Sequence, residues 1–321
     1  MALSTQLHIV TGKGGTGKTT VAAALAMALA DKGKKVLLCE VEGRQGIAQL
    51  FDVPPLPYEE RRVAVGLGGG EVFALAIDPE AALLEYLSIY YRLGRAGKVL
   101  ERFGIIDFAT TIAPGVRDVL LTGKVYEAAR RKDGVNFVYD AVIMDAPPTG
   151  RITRFLNVNT EVAGLAKVGP IRRQAESIMQ MMRSVTTRVH LVTVLEEMPV
   201  QETIEGIAGL DAEKLPVGHV ILNLVRPALL SAETSAAISG GVLTASKVSS
   251  SLKRASLDQD AAVALLEEGK AHIERQDLQD RQRDVLASEA KRLAELPWLS
   301  DGVDLGALFE LAEDLKESGV L

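Results

Sequence analysis

Residues 12 to 20 read Gly12-Lys13-Gly14-Gly15-Thr16-Gly17-Lys18-Thr19-Thr20, a G-x-x-x-x-G-K-T pattern with a second lysine near its start. Before it stands the β-rich run Leu7-His8-Ile9-Val10-Thr11. After it, Val21 to Ala30 is an unbroken apolar, helix-forming series that stops before Gly33. Strand, glycine loop and helix in that order are the context in which the pattern binds phosphate. The glycines let the chain curl so that successive N–H groups point at phosphate oxygens, and the helix N-terminus adds partial positive charge. On this reading Gly12 to Thr20 cradle a nucleotide, Lys18 pairs with the β- and γ-phosphates, and Thr19 holds Mg²⁺ through its hydroxyl.

Outward from the loop, apolar runs at 7–11, 36–41, 71–77, 139–144, 189–195 and 217–222 alternate with helical stretches. Each run is nearly continuous in Val, Ile, Leu, Ala and Met, as expected where helices cover both faces of a sheet. The expected fold is α/β, a doubly wound, mainly parallel sheet with ligands at the carboxyl ends of its strands. All 321 residues read as one nucleotide-binding domain carrying two interruptions. In the first, 79–129, Asp78 caps a helix that Pro79 begins, and Val99 to Ile112 and Val116 to Ala129 read as further helices. In the second, 226–296, strand character is lost. Ser231 to Ser251 reads as a mobile loop, and Asp258 to Glu295 as a charged, solvated helix.

Composition narrows the function. With 47% hydrophobic and 24% charged residues the chain can bury a substantial core. Its longest apolar run, Val21 to Ala30, is about half of what a bilayer requires, so no transmembrane segment is expected. A cytoplasmic protein is expected, with transient membrane contact at most. A net charge of −6 argues against nucleic acid as a partner. The single cysteine, Cys39, excludes an internal disulfide and any Cys-x-x-Cys metal site within one chain; its apolar setting reads as a buried thiol. Histidines 8, 190, 219 and 272 are scattered and read as structural or surface residues. Met179, Met181 and Met182 read as core, with an adaptable apolar groove as the alternative.

Two further segments converge on the loop. Tyr139 to Asp145 is an apolar strand ending in a carboxylate and followed by Ala146-Pro147-Pro148-Thr149-Gly150, which places Asp145 on the magnesium side of the phosphates. The second strand leads into Glu40-Val41-Glu42-Gly43-Arg44-Gln45-Gly46. Alternation along a persisting strand puts both acids on one face. A carboxylate beside a γ-phosphate is repelled, so Glu42 would work through a water, orienting or deprotonating it.

The glycine loop, the segment Asp145-Ala146-Pro147-Pro148-Thr149-Gly150-Arg151-Ile152-Thr153-Arg154-Phe155-Leu156, Ile77-Asp78-Pro79-Glu80-Ala81-Ala82-Leu83, Glu202-Thr203 and Asn223 together resemble the ArsA family of ATPases. That family includes the arsenite-pump ATPase and the ATPase that targets tail-anchored membrane proteins. The resemblance implies that Lys13 reaches across a dimer interface to the partner's nucleotide, that Asp145 belongs to the second switch, and that Asn223 contacts adenine. Glu42 stands where the family has a water-activating aspartate, and Arg151 where relatives often have histidine. A homodimer, or a heterodimer with a paralogue, is implied, as is a hydrophobic protein client of the helical insertion. The thiols that bind arsenite and the Cys-x-x-Cys zinc clasp have no counterpart here.

The expectation is therefore an ATP- and Mg²⁺-dependent dimeric switch coupled to a client or a membrane-associated partner, with Lys13, Lys18 and Glu42 as catalytic residues. The competing expectation is a partitioning or positioning ATPase, which a C-terminal amphipathic anchor would favour. Asp304 to Lys316 reads instead as a helix packed on the sheet, behind a buried Pro297-Trp298-Leu299. An iron–sulfur reductase is excluded, because one cysteine per chain gives a dimer only two thiolates.

Overall fold

The computed structural model describes residues 6–91, 115–165 and 170–321. Its centre is an eight-stranded sheet in the order β10-β9-β8-β1-β7-β2-β4-β3, built from β1 (Leu7–Gly12), β2 (Lys35–Glu40), β3 (Arg61–Val65), β4 (Glu71–Ala76), β7 (Ala141–Asp145), β8 (Thr187–Thr193), β9 (Val217–Val225) and β10 (Leu293–Pro297). A small hairpin, β5 (Lys132–Asp133) with β6 (Asn136–Phe137), stands apart. Neighbours in the large sheet are parallel except β3, which runs antiparallel to β4. All six expected strands are present. The edge strands β3 and β10 were not expected, and β10 corrects the reading of 226–296 as free of strand.

Helices cover both faces, which explains the continuous apolar runs. On one face lie α1 (Lys18–Asp31), α2 (Gly46–Leu50) and the C-terminal α11 (Leu305–Glu317). Every residue from Val21 to Ala30 is buried, because α1 is enclosed between the sheet and α11. Its alanines allow that approach on all sides. Leu308, Leu311, Ala312 and Leu315 of α11 share its core, and Lys316 pairs with Asp31 at 3.2 Å. This helix was expected to pack on the sheet; it packs chiefly on α1 and reaches the sheet at the edge strand β10.

The opposite face carries α4 (Val116–Arg130), α5 (Thr149–Leu165), α6 (Pro170–Met182) and α7 (Glu197–Ala212). Met179 and Met182 are buried in this core, with Met181 packed against it. Cys39 is also buried, and desolvation pushes its thiol far above the ordinary range. Helix α3 (Pro79–Tyr91) begins as expected, with Asp78 Oδ1 accepting the Ala81 N–H at 2.8 Å. Polar contacts tie α3 and α4 to the body. Tyr58 donates to Glu85, Lys124 bonds Glu85 at 2.8 Å, Arg131 pairs with Glu60, and Tyr139 donates to Glu60 at 2.7 Å. The expected helix Val99 to Ile112 lies outside the described residues.

Ser231 to Ser251 is not a loop. It contains α8 (Ala232–Ser239), whose cap Ser231 accepts the Thr234 N–H, and most of α9 (Ala245–Arg254). Short serine-rich turns of helix were masked by their low intrinsic propensity. They lean on α10 (Ala262–Glu289), a long helix that is mostly exposed and charged, as the solvated-helix reading expected. The expected burial of Pro297-Trp298-Leu299 is also corrected: Pro297 is exposed, Leu299 half-buried, and Trp298 39% exposed, with the Arg226 guanidinium 4.5 Å from its ring centre.

Histidines 8, 190 and 219, far apart in sequence, meet on the adjacent strands β1, β8 and β9. The rings of His8 and His190 stack with centroids 5.4 Å apart, and those of His190 and His219 at 6.0 Å. His8 Nδ1 and His190 Nε2 share a hydrogen bond of 3.2 Å. His272 is buried as well, and its Nε2 accepts the Leu229 N–H. The surface alternative is thus set aside for all four.

Candidate functional site

The sheet order reverses direction around β1: the chain moves to β2 on one side and later returns to β8 on the other. A crevice forms at such a switch point, at the carboxyl ends of the strands. The loop 12–17 lies there. Gly17 takes φ 86° and Gly15 φ 89°, conformations that side chains rarely tolerate. Gly12 has a different reason to be glycine, since a Cβ there would sit 2.1 Å from the Val192 carbonyl oxygen. Beside Gly14 and Gly15 the space is open. Helix α1 starts at Lys18 with no side chain capping its N-terminus, so its first-turn N–H groups and positive dipole end face the loop.

Register brings the carboxylates level. Val10 is opposite Asp145 on one side of β7, and Glu40 is opposite Asp145 on the other. Thr19 donates to Asp145 Oδ2 at 2.7 Å, while Asp145 Oδ1 is buried without a hydrogen-bond partner. Burial pushes the Asp145 carboxyl up to about 6; the Thr19 hydrogen bond and Lys18 oppose this, and Glu40 and Glu42 add to it. A buried carboxylate oxygen with nothing to bond, beside a threonine hydroxyl, is a hard oxygen donor set of the kind that Mg²⁺ selects. The residues present therefore fit that ion.

The two lysines of the loop differ in exposure. Lys18 is 8% exposed. The Lys13 side chain is 31% exposed and reaches the rim, where its Nζ lies 3.9 Å from Glu202 Oε2 on α7. Thr16 is buried and braces the loop by donating to the Lys13 carbonyl at 2.9 Å. Thr20, partly buried, is in the first turn of α1.

The two acids after the second strand part company. The strand ends at Glu40, so alternation does not carry on to Glu42. Glu40 is buried and structural: its Oε1 accepts the Gln45 N–H and its Oε2 the Ile47 N–H at 3.2 Å. Gln45, in the left-handed region at φ 57°, clasps the Leu56 backbone with both ends of its amide. With the loop pinned at both ends, Glu42 is left on its projecting part, 3.7 Å from the exposed Arg44.

Asn223 lies within β9 rather than after it. It is buried, and its Nδ2 donates to the Thr16 carbonyl at 2.9 Å, the same nitrogen a Cβ on Gly17 would strike at 2.3 Å. Asn223 therefore shapes the phosphate loop directly. Just past it, Leu224 is left-handed at φ 58°, and the Arg226–Trp298 pair covers the ends of β9 and β10. Arg151 is largely exposed, 3.9 Å from Asp118.

Sequence reasoning missed Gln45, the Arg226–Trp298 pair and two supports of the segment that follows Asp145. Thr11 donates to the Pro147 carbonyl at 2.7 Å. Gly206 on α7 lets Thr149 approach, for a Cβ there would meet Thr149 Cγ2 at 2.4 Å. A polar residue inside an apolar strand and a glycine inside a helix were the available signals.

A glycine loop at a switch point, an uncapped helix N-terminus and the Thr19–Asp145 pair of hard oxygen donors define a phosphate-loop nucleotide-binding protein. The chain belongs to the ArsA ATPase family: the family profile, described as anion-transporting ATPase, matches residues 5–188. ATPase BagA of Mycobacterium tuberculosis is 53% identical over 320 residues, covering 98% of this chain and 94% of the relative. An arsenical pump-driving ATPase of Escherichia coli is 26% identical over 240 residues, 68% of this chain and 39% of that protein. ATPase get3 of Pyrenophora tritici-repentis is 27% identical over 214 residues, 62% and 59% respectively. This chain is thus an ATPase of that family. Among its described residues no helix is long and apolar enough to cross a membrane.

Proposed function

We propose that this ATPase is an Mg²⁺-dependent dimeric switch, in which ATP draws two subunits together and hydrolysis releases them, coupled to a protein client or membrane-associated partner. The observation that carries the reading is the opposed placement of the two loop lysines, Lys18 buried and Lys13 at the rim. A part-exposed lysine whose pairing within its own chain is with Glu202 becomes available to a neighbouring subunit once that pair opens. Lys18, with Gly12 to Thr20, would hold the β- and γ-phosphates. Thr19 and Asp145 would hold Mg²⁺, which offsets phosphate charge. Glu42 would take a proton from a water as that water's oxygen bonds to the γ-phosphorus and the bridging oxygen leaves with ADP. Asn223 would sit at the adenine side, beside the Arg226–Trp298 pair.

The partner subunit is a second copy of this chain or a paralogue. The client role rests on the family resemblance and on the apolar helical insertion, whose helices are tied to each other by Glu85–Lys124 and to the body by Tyr58, which donates to Glu85. The positioning alternative draws less support, since the C-terminal helix that would anchor it is packed on α1.

Calorimetry and turnover of two variants test the reading. Lys18→Ala removes a charge-assisted phosphate contact worth about 1.5–3 kcal/mol and should weaken ATP binding about 10- to 150-fold. Lys13→Ala should bind ATP nearly as the wild type does but turn over at least about 10³-fold more slowly, the scale of a trans-acting cation in phosphoryl transfer. Equal loss of binding in both variants would show that Lys13 serves only its own loop.

A further inference from the structure

Helix α7 touches both the phosphate loop and the start of α5 with one face. Glu202 and Gly206 are one turn apart, and so on the same side of the helix. Glu202 Oε2 lies 3.9 Å from Lys13 Nζ, and Glu202 Oε1 lies 3.9 Å from where a Cβ on Gly150 would stand. Gly206 receives Thr149, whose buried hydroxyl has no partner. The segment Thr149–Gly150 opens α5, immediately after Asp145 and its prolines. Glu202 is thus wedged between the rim lysine and the start of the second switch.

We infer that Glu202 is a positioning residue that keeps Lys13 in its own subunit until the second switch moves. The inference rests on the dimeric-switch reading above and adds the element that times it. Lys13 cannot remain against Glu202 and also contact a nucleotide in the neighbouring subunit, so the pair must open before the lysine crosses. The second switch is placed to open it: a shift of Thr149 and Gly150 presses on the helix face that carries Glu202. Because the pair is part-exposed, its strength is modest, and holding Lys13 back shifts the closing equilibrium about 1.5- to 5-fold per subunit. Two pairs open when two copies join, so the shifts multiply. A restraint of this size delays association without preventing it.

The test is sedimentation velocity on the full chain with Mg²⁺ and a non-hydrolysable ATP analogue, comparing wild type, Glu202→Gln and Glu202→Asp. Gln keeps the shape and removes the charge; Asp keeps the charge and withdraws it by one methylene. Both variants should dimerise at about 2- to 25-fold lower protein concentration than wild type. The gain should shrink in 0.5 M salt, where part-exposed pairs are screened. Turnover per dimer at saturating protein should be unchanged, and so should the melting temperature, which separates release of Lys13 from a packing effect. A wild-type dimer whose midpoint is the same or lower than that of both variants overturns this inference alone. A wild-type chain that stays monomeric at every nucleotide concentration overturns the self-dimer reading and this inference together.

Discussion

Acidification should cost this protein stability through its stacked histidines, against a smaller, opposite contribution from the Asp145 carboxyl, which burial raises to about 6. His8 is fully enclosed, and burial, with Lys34 and Arg188 nearby, holds its imidazole down to about 3. His190 is lowered too, by burial and then by its histidine neighbours and Arg188, and His219 by burial, Arg292 and Arg188. A lowered folded value means that the unfolded chain binds more protons, so stability rises with pH. The contribution is complete above the unfolded value of ~6.5 and is lost as pH falls from there toward the folded value. For His8 alone, moving from pH 7.5 to pH 5 costs about 2 kcal/mol, and about 5 kcal/mol once pH is below 3. His190 and His219 act in the same direction. His8→Phe keeps a ring against His190 and removes one titrating group. It should cost about 1–3 kcal/mol at pH 7.5, where the His190 ring loses its hydrogen bond. Between pH 7.5 and 5, however, the variant should lose about 2 kcal/mol less than wild type. Urea unfolding at closely spaced pH values reads both quantities. Parallel stability curves for the two proteins would refute the reasoning, because they would mean that His8 exchanges its proton as freely folded as unfolded.

Three other outcomes follow from the site. Glu42→Gln should retain nucleotide binding and lose about 10²–10⁴-fold in turnover, since an amide can position a water but not accept its proton; Glu40→Gln, the control, should instead loosen the Gln45–Ile47 loop and lower thermal stability. Gly17→Ala forces a Cβ onto the Asn223 amide in a left-handed conformation, a strain of about 1–3 kcal/mol that calorimetry should register as weakened ATP binding. Pairing it with Asn223→Ala should recover part of that loss. Gly206→Ala should cost about 1–3 kcal/mol in a denaturant titration by overpacking against Thr149, and turnover should fall with it.

How much of this was legible from sequence depended on how local the signal was. The loop 12–20, its flanking strand and helix, and the acid at the end of β7 are contiguous patterns, and the sheet followed from runs that are apolar throughout because both faces are covered. The edge strands escaped because one side of each faces solvent: Arg61-Arg62 begins β3, and Glu295 and Pro297 break the apolar pattern of β10. Alternation put Glu40 and Glu42 on one face of a persisting strand, with Glu42 as the functional acid and Glu40 as a solvated one. The end of the strand separates them, turning Glu40 onto two backbone N–H groups and leaving Glu42 part-buried beside Arg44. The histidine stack and the Lys13–Glu202 contact are made by residues remote in the chain, and no local pattern announces either. Asn223 was identified, but its bond to the Thr16 carbonyl depends on the packing of β9 beside the loop across another strand.

Mixing two inactive variants tests the central claim most directly. Lys13→Ala keeps a site that binds ATP but offers its partner no lysine; Lys18→Ala cannot hold ATP well but still carries Lys13. If Lys13 acts across the interface of two copies, an equimolar mixture regains activity at the Lys13→Ala site of each mixed dimer. With random pairing half of the dimers are mixed, each with one working site, so the mixture should reach about a quarter of the wild-type rate. A mixture as inactive as either variant alone would contradict a lysine that works in the partner's site.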